Sequence, residues 1–192
     1  MLAVGLGSVA ELLPLPLVIR RGVAGVVALS ITLLAGGFWG RDMAQLAGRA
    51  DLQRTRKLTA LSTGPAIIAV GALLAIVEPS VVGRATRAGF PIHAVYTVLF
   101  VPVTGFVAAV GGFALGYGLE DRRFGMRLAM VAGLAALVAF LAVDLLMYAI
   151  GWHVGAPNAG RRATMLVVTV LSASAAAVAA GAAIGRFLRA QK

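Results

Sequence analysis

Residues 127–152 limit the folds open to this chain, because they form an apolar run that contains a single carboxylate. Sixteen uncharged residues follow Arg127, Asp144 comes next, and seven more uncharged residues lead to Trp152. A run of this length predicts a membrane-spanning helix, since a hydrocarbon layer of about 30 Å needs about 20 residues. Asp144 then lies in the membrane, roughly 9 Å below the helix end. It must face other helices, face a wet cavity or stay protonated.

Composition supports the same class of protein. The 192 residues are 60% hydrophobic and 12% charged, against about 25% charged in soluble domains. We therefore expect one transmembrane domain over residues 1–192, without a separate soluble domain. The net charge of +10 comes from basic clusters between apolar runs, which favours topology signals and anionic lipid contacts over nucleic acid. The chain has no Cys, so thiolate chemistry and Cys-based metal sites are excluded.

The apolar runs predict an all-α bundle of five transmembrane helices, at residues 22–40, 58–77, 93–118, 127–151 and 163–185. Residues 1–19 are apolar but contain Glu11 and two prolines, so this segment is interfacial, re-entrant or a sixth span. Between the first two spans, residues 41–57 form either an amphipathic surface helix or a solvated loop. Glu78 and Pro79 are expected to end the second span, and Pro102 to kink the third.

Lys and Arg are distributed unequally between the two sides of this bundle. Residues 41–57, 122–127 and 186–192 contain 11 of them, and the opposite connections contain 6. By the positive-inside bias, the C-terminus is cytoplasmic, and we expect a prokaryotic plasma membrane. Small residues recur at helical spacing and predict close helix packing. The glycine pairs that lie four residues apart are Gly36 and Gly40, Gly112 and Gly116, and Gly181 and Gly185.

Asp144 is the sharpest candidate for a functional residue. The topology places Thr169 of the fifth span at a similar depth and Thr97 of the third span nearby. One interpretation is a structural carboxyl that is hydrogen-bonded between helices. The other is a proton or ion relay, or a substrate contact, that uses these hydroxyls.

Two histidines and four arginines are weaker candidates. His93 and His153 lie at helix ends on the same side, where they are either solvent-facing side chains or ligands of haem, a metal or a quinone. We expect neither haem nor a metal, because no further histidines accompany them. The arginines of the same side are lipid-headgroup or acidic-partner contacts, or simple interfacial anchors; they are Arg84, Arg87, Arg161 and Arg162.

The sequence contains no recognisable hydrolytic set and no phosphate-binding loop, which favours a protein that is not an enzyme. Our first hypothesis is a non-catalytic subunit of a membrane complex or a small homo-oligomeric bundle. The second is a small transporter or channel in which Asp144 contacts a proton, an ion or a substrate. The third is a haem- or quinone-binding membrane anchor that uses His93 and His153.

Overall fold

A computed structural model describes residues 17–48, 52–151 and 158–191. Helices are the only regular secondary structure in the described residues, which contain no strand, and this confirms the all-helical fold. They form five helices: α1 (Leu17–Leu46), α2 (Leu52–Arg87), α3 (Ile92–Leu119), α4 (Arg122–Ala149) and α5 (Asn158–Arg189). The predicted N-terminal segment falls almost wholly outside the described residues.

Three of these helices are long and apolar enough to cross a membrane. They are α3, α4 and the part of α5 over Val167–Arg189. On α4, large apolar side chains that point away from the bundle continue from Met126 to Leu145, by way of Met130, Leu134 and Val138. At about 1.5 Å per residue this stripe is roughly 28 Å long, close to the hydrocarbon thickness of about 30 Å. The structure thus supports a membrane location.

Most of the described part of residues 41–57 is neither a separate surface helix nor a solvated loop, so both alternatives are wrong. Instead, α1 continues to Leu46 and α2 begins at Leu52. Ala44 is fully buried, and Met43, Leu46 and Ala47 pack against the core. These apolar residues therefore face neighbouring helices and not the membrane surface.

Glu78 and Pro79 do not end the second helix either, because α2 continues past them to Arg87. Proline removes one backbone donor. A proline inside a helix can kink it without ending it. The connection to α3 is consequently shorter than predicted and runs over residues 88–91.

Helix α3 occupies the middle of the bundle. Among the described residues it contacts all four other helices, and its contact with α4 is the most extensive. Helix α5 packs on α4 and returns to α1, where Trp39 approaches Gly181. The α1–α2 connection, the α3–α4 turn and the end of α5 therefore meet at one end of the bundle. The turn itself consists of Glu120 and Asp121. The Asp121 side chain accepts a hydrogen bond from the Phe124 amide at 2.7 Å and so caps α4.

Glycines bring the backbones of α3 and α4 into direct contact. A Cβ atom placed on Gly112 would lie 2.5 Å from the Leu128 carbonyl oxygen, and one on Gly116 would lie 2.7 Å from the Gly125 Cα atom. Real side chains do not tolerate such distances, so only glycine fits at these two positions. By contrast, the nearest atom to a Cβ on Gly181 belongs to Trp39, at 3.8 Å. That is ordinary contact, so identical spacing does not mean identical packing.

A second glycine contact joins α1 to α2. A Cβ on Gly40 would collide with the Thr59 side chain, and one on Gly36 with the Thr63 side chain. The threonine hydroxyls turn back to their own helix: Thr59 donates to the Thr55 carbonyl at 2.8 Å, and Thr63 donates to the Thr59 carbonyl at 2.5 Å. These polar side chains therefore pack between helices without leaving unsatisfied hydroxyls.

We expect Gly116→Ala to lower the free energy of unfolding by about 1–3 kcal/mol, the usual cost of overpacking. Gly181→Ala is the matched control, since its added methyl group meets an ordinary contact, and it should leave stability unchanged. Denaturant unfolding of both variants in the same detergent measures the difference. Equal effects would contradict the assignment of the tight contact to α3 and α4.

Candidate functional site

Asp144 lies near the C-terminal end of α4 and faces the interior of the bundle. Its side chain is 8% exposed, and its Oδ2 atom lies 2.5 Å from Thr97 Oγ1 on α3. The distance is that of a strong hydrogen bond in which a hydroxyl donates to a carboxylate. The expected inward orientation is thus observed, and Thr97 is the hydroxyl that meets it.

The Thr97 hydroxyl has a second acceptor within reach. Its Oγ1 atom lies 3.0 Å from the backbone carbonyl of His93, one turn earlier on the same helix. A threonine hydroxyl carries one proton, so it donates to one of these acceptors at a time. The shorter distance favours the Asp144 carboxylate. Thr97 therefore connects the carboxyl group of α4 to the backbone of α3.

His93 and Tyr148 extend this contact by one helical turn. Their ring centroids are 4.4 Å apart and the ring planes are inclined at 37°. His93 precedes Thr97 by four residues, and Tyr148 follows Asp144 by four. Because α3 and α4 are antiparallel, this matched spacing stacks the two pairs one above the other. We call these four residues the α3–α4 polar cluster.

The sequence alone does not link His93 to Asp144, so the α3–α4 polar cluster was not predicted. The spacing of four residues in both helices was a usable signal. It becomes informative only when the register between the two helices is known, and that register depends on the glycine contacts at Gly112 and Gly116. The structure places His93 beside Tyr148, while His153 lies outside the described residues.

Helix α5 has two buried hydroxyl side chains among its described residues. Thr169, which the sequence analysis placed at a depth similar to that of Asp144, is buried, and Ser172 is fully buried one turn later. Within the described part of the chain, the Ser172 hydroxyl has no hydrogen-bond partner. An unsatisfied buried hydroxyl typically costs about 1–3 kcal/mol. Ser172 was not predicted, although its position three residues after Thr169 places both on one helix face.

The arginine candidates are separate from the α3–α4 polar cluster. Arg84 and Arg87 are exposed in the last turns of α2. Their Nε atoms donate to carbonyls of the same helix, those of Ser80 at 3.2 Å and Gly83 at 2.8 Å. Cations near a helix C-terminus interact favourably with the free carbonyls there. The side chains of Arg161 and Arg162 are outside the described part.

The described residues contain no group of three or more His, Cys, Asp or Glu side chains that could hold a metal. Comparisons of the chain with protein families, with curated proteins and with solved structures each found no match. A function must therefore be inferred from the geometry of the bundle itself.

A double-mutant cycle tests the contact between Thr97 and Asp144. We expect Thr97→Val and Asp144→Leu to show a coupling energy of about 0.6 kcal/mol, the average measured for hydrogen bonds between membrane helices, and of at most about 1.7 kcal/mol. Asp144→Asn should retain most of the stability, because an amide can still accept the hydrogen bond from Thr97.

Thr86→Val is the control for this cycle, since Thr86 is exposed and donates to its own helix at the Val82 carbonyl. Combined with Asp144→Leu, it should give additive changes in the free energy of unfolding. Additive behaviour of the Thr97 pair as well would show that the interhelical hydrogen bond does not contribute to stability.

Proposed function

We propose that this chain is a five-span membrane bundle that serves as a non-catalytic component of a membrane assembly, formed with other subunits or with copies of itself. The observation that carries the proposal is the pairing of Asp144 with Thr97 inside a close-packed contact between α3 and α4. In this arrangement the buried carboxyl group holds two helices together.

The packing below Asp144 supports this structural role. A Cβ on Gly105 would lie 2.7 Å from the Leu137 side chain, and one on Gly133 would lie 3.4 Å from the Gly105 carbonyl oxygen. Contacts this close pack α3 tightly against α4 at these two positions, which favours a structural role for Asp144 over a water-filled pathway along this contact.

The outer face of α5 offers small exposed residues to a neighbouring helix. Ala177 and Ala182 are exposed there beside Val178, whereas α4 exposes larger side chains such as Leu134 and Val138. Lipid tails are as apolar as any of these side chains, so membrane helices associate where small residues permit close approach of the backbones.

Native mass spectrometry of the gently solubilised protein tests the assembly. We expect a species of fixed stoichiometry that is heavier than the 19.6 kDa chain. Ala182→Trp should reduce that species because the indole blocks close approach, and Val138→Trp on α4 is the matched control that should retain it. A wild-type protein that is entirely monomeric would contradict the proposal. A proton or ion flux in liposomes that disappears in Asp144→Asn would also contradict the proposal. That result would indicate that the protein is a transporter.

We also propose that the end of the bundle containing the α3–α4 turn faces the cytoplasm of a prokaryotic cell. The support is the excess of basic residues at that end, 11 against 6. Because the chain has no Cys, Gln53→Cys, Glu120→Cys and Gln191→Cys should resist an impermeant thiol reagent in intact cells. Ala88→Cys in the α2–α3 connection should react. The reverse labelling pattern would invert the topology.

A further inference from the structure

An open groove runs along the outer face of α3. Helices α2 and α4 both pack against α3, but in the part of the chain that the structure describes their backbones do not approach each other. Gly116 of α3 contacts α4, and Gly118 contacts Thr55 of α2. Because successive residues of a helix are about 100° apart, Tyr117 projects outwards between the two helices, and its side chain is 41% exposed. The outer face of α3 is therefore the floor of a groove whose walls are α2 and α4.

Aromatic rings line this floor. The rings of Tyr117 and Phe113 are stacked, with centroids 6.1 Å apart and planes inclined by only 4°. Phe106 precedes Phe113 by about two helical turns, so it continues the same face, and it is exposed as well. From Tyr117 to Phe106 the floor is roughly 16 Å long at about 1.5 Å per residue. That length is close to one leaflet, which is half of a hydrocarbon layer of about 30 Å.

A positive charge lies directly over one end of the floor. The guanidinium carbon of Arg54, near the start of α2, is 5.7 Å from the centroid of the Tyr117 ring, and the Arg54 side chain is exposed. Leu58 and Leu61 follow Arg54 on the same face of α2, since residues about one and two turns apart share a face. The groove thus combines a cation at the membrane boundary with an apolar floor and an apolar wall beneath it.

The stacked guanidinium group of Arg54 is suited to a phosphate. Stacking uses the flat face of the group, whereas its N–H donors lie in the plane. The Tyr117 ring therefore orients the guanidinium group without competing for the hydrogen bonds that it donates to phosphate oxygens. In this arrangement Tyr117 is a positioning residue for Arg54.

The floor of the groove favours an acyl chain over a second helix. Membrane helices associate where small residues permit close approach of their backbones. The exposed rings of Phe106 and Tyr117 hold a second backbone away from α3. A flexible chain of methylene groups follows the uneven surface between such rings.

We propose that this groove binds one anionic phospholipid. Its phosphate accepts hydrogen bonds from Arg54 above the Tyr117 ring, and one acyl chain lies along Phe113 and Phe106 between α2 and α4. An anionic lipid binds better than a zwitterionic one, because the ammonium group of the latter offsets part of the attraction to a cation. The site depends on the membrane location of α3 and not on the assembly proposed above.

Photolabelling in bilayer discs tests the groove. The protein is reconstituted with phosphatidylglycerol or phosphatidylcholine that carries a diazirine at the same position of one acyl chain, and labelled peptides are identified by mass spectrometry. The exposed stripe of α4 at Met130 and Leu134 is the internal reference, since any membrane lipid reaches it. We expect label on residues 106–113 of α3. Relative to α4, phosphatidylglycerol should be preferred there about fivefold, the factor that one arginine near a membrane surface contributes.

Variants of the two groups at the head of the groove separate charge from position. Arg54→Gln should abolish the preference on α3 and leave the labelling of α4 unchanged, whereas Arg54→Lys should retain most of the preference because the charge remains. Tyr117→Leu should lower the preference about twofold, within the range of a cation–π contact at an exposed site. The matched control is Arg84→Gln on the same helix, which removes an exposed charge whose Nε atom donates to the Ser80 carbonyl. It should leave the preference intact.

Unfolding midpoints of all variants are measured in the same discs, and the comparison of the two lipids on the wild-type protein does not depend on any variant. Equal labelling of α3 by the two lipids would overturn the proposal, and so would an equal loss in Arg84→Gln. Label on α4 without label on α3 would show that another protein covers the groove and would overturn the lipid assignment. Loss of the preference in an excess of soluble glycerophosphate would indicate a head-group site alone and overturn the position of the acyl chain.

Discussion

The direct contact between the backbones of α3 and α4 is the constraint on which the rest of this bundle depends. In lipid there is no hydrophobic gain from bringing two apolar helices together, so van der Waals contact must hold them. Gly112 and Gly116 permit that contact by meeting Leu128 and Gly125 without any side chain between. The same contact fixes how far α3 is shifted along α4.

That register explains the position of the polar groups. With Gly116 opposite Gly125, the two antiparallel helices bring Thr97 level with Asp144 about five turns away, where the hydroxyl and carboxyl groups meet at 2.5 Å. A buried carboxyl group is expensive in a membrane unless it has a partner. The glycine contact at one end of the helix pair thereby determines that the carboxyl group at the other end is satisfied.

Helix α4 shows how one helix serves two environments. Its inner face has Asp144 and small buried residues such as Ala132 and Ala136, while its outer face has Arg122 followed by methionines and leucine. The inner face holds the helix pair together, and the outer face exposes an apolar stripe about as long as the hydrocarbon layer is thick. Because the two faces are separate, a substitution on the outer face of α4 should leave the contact between α3 and α4 unchanged.

The sequence by itself determined the helical class, the membrane character and the inward orientation of Asp144, because each follows from properties of a single helix: its length, its apolar content and the cost of a charge in lipid. The prediction for residues 41–57 was wrong, because the helical period of their apolar residues predicts an apolar face but does not show which neighbour covers it. Only the tertiary structure distinguished the essential Gly116 from the permissive Gly181, and only it joined His93 to Tyr148. Spacing along one helix is independent of the neighbour, whereas these contacts depend on which helix lies opposite and on its register.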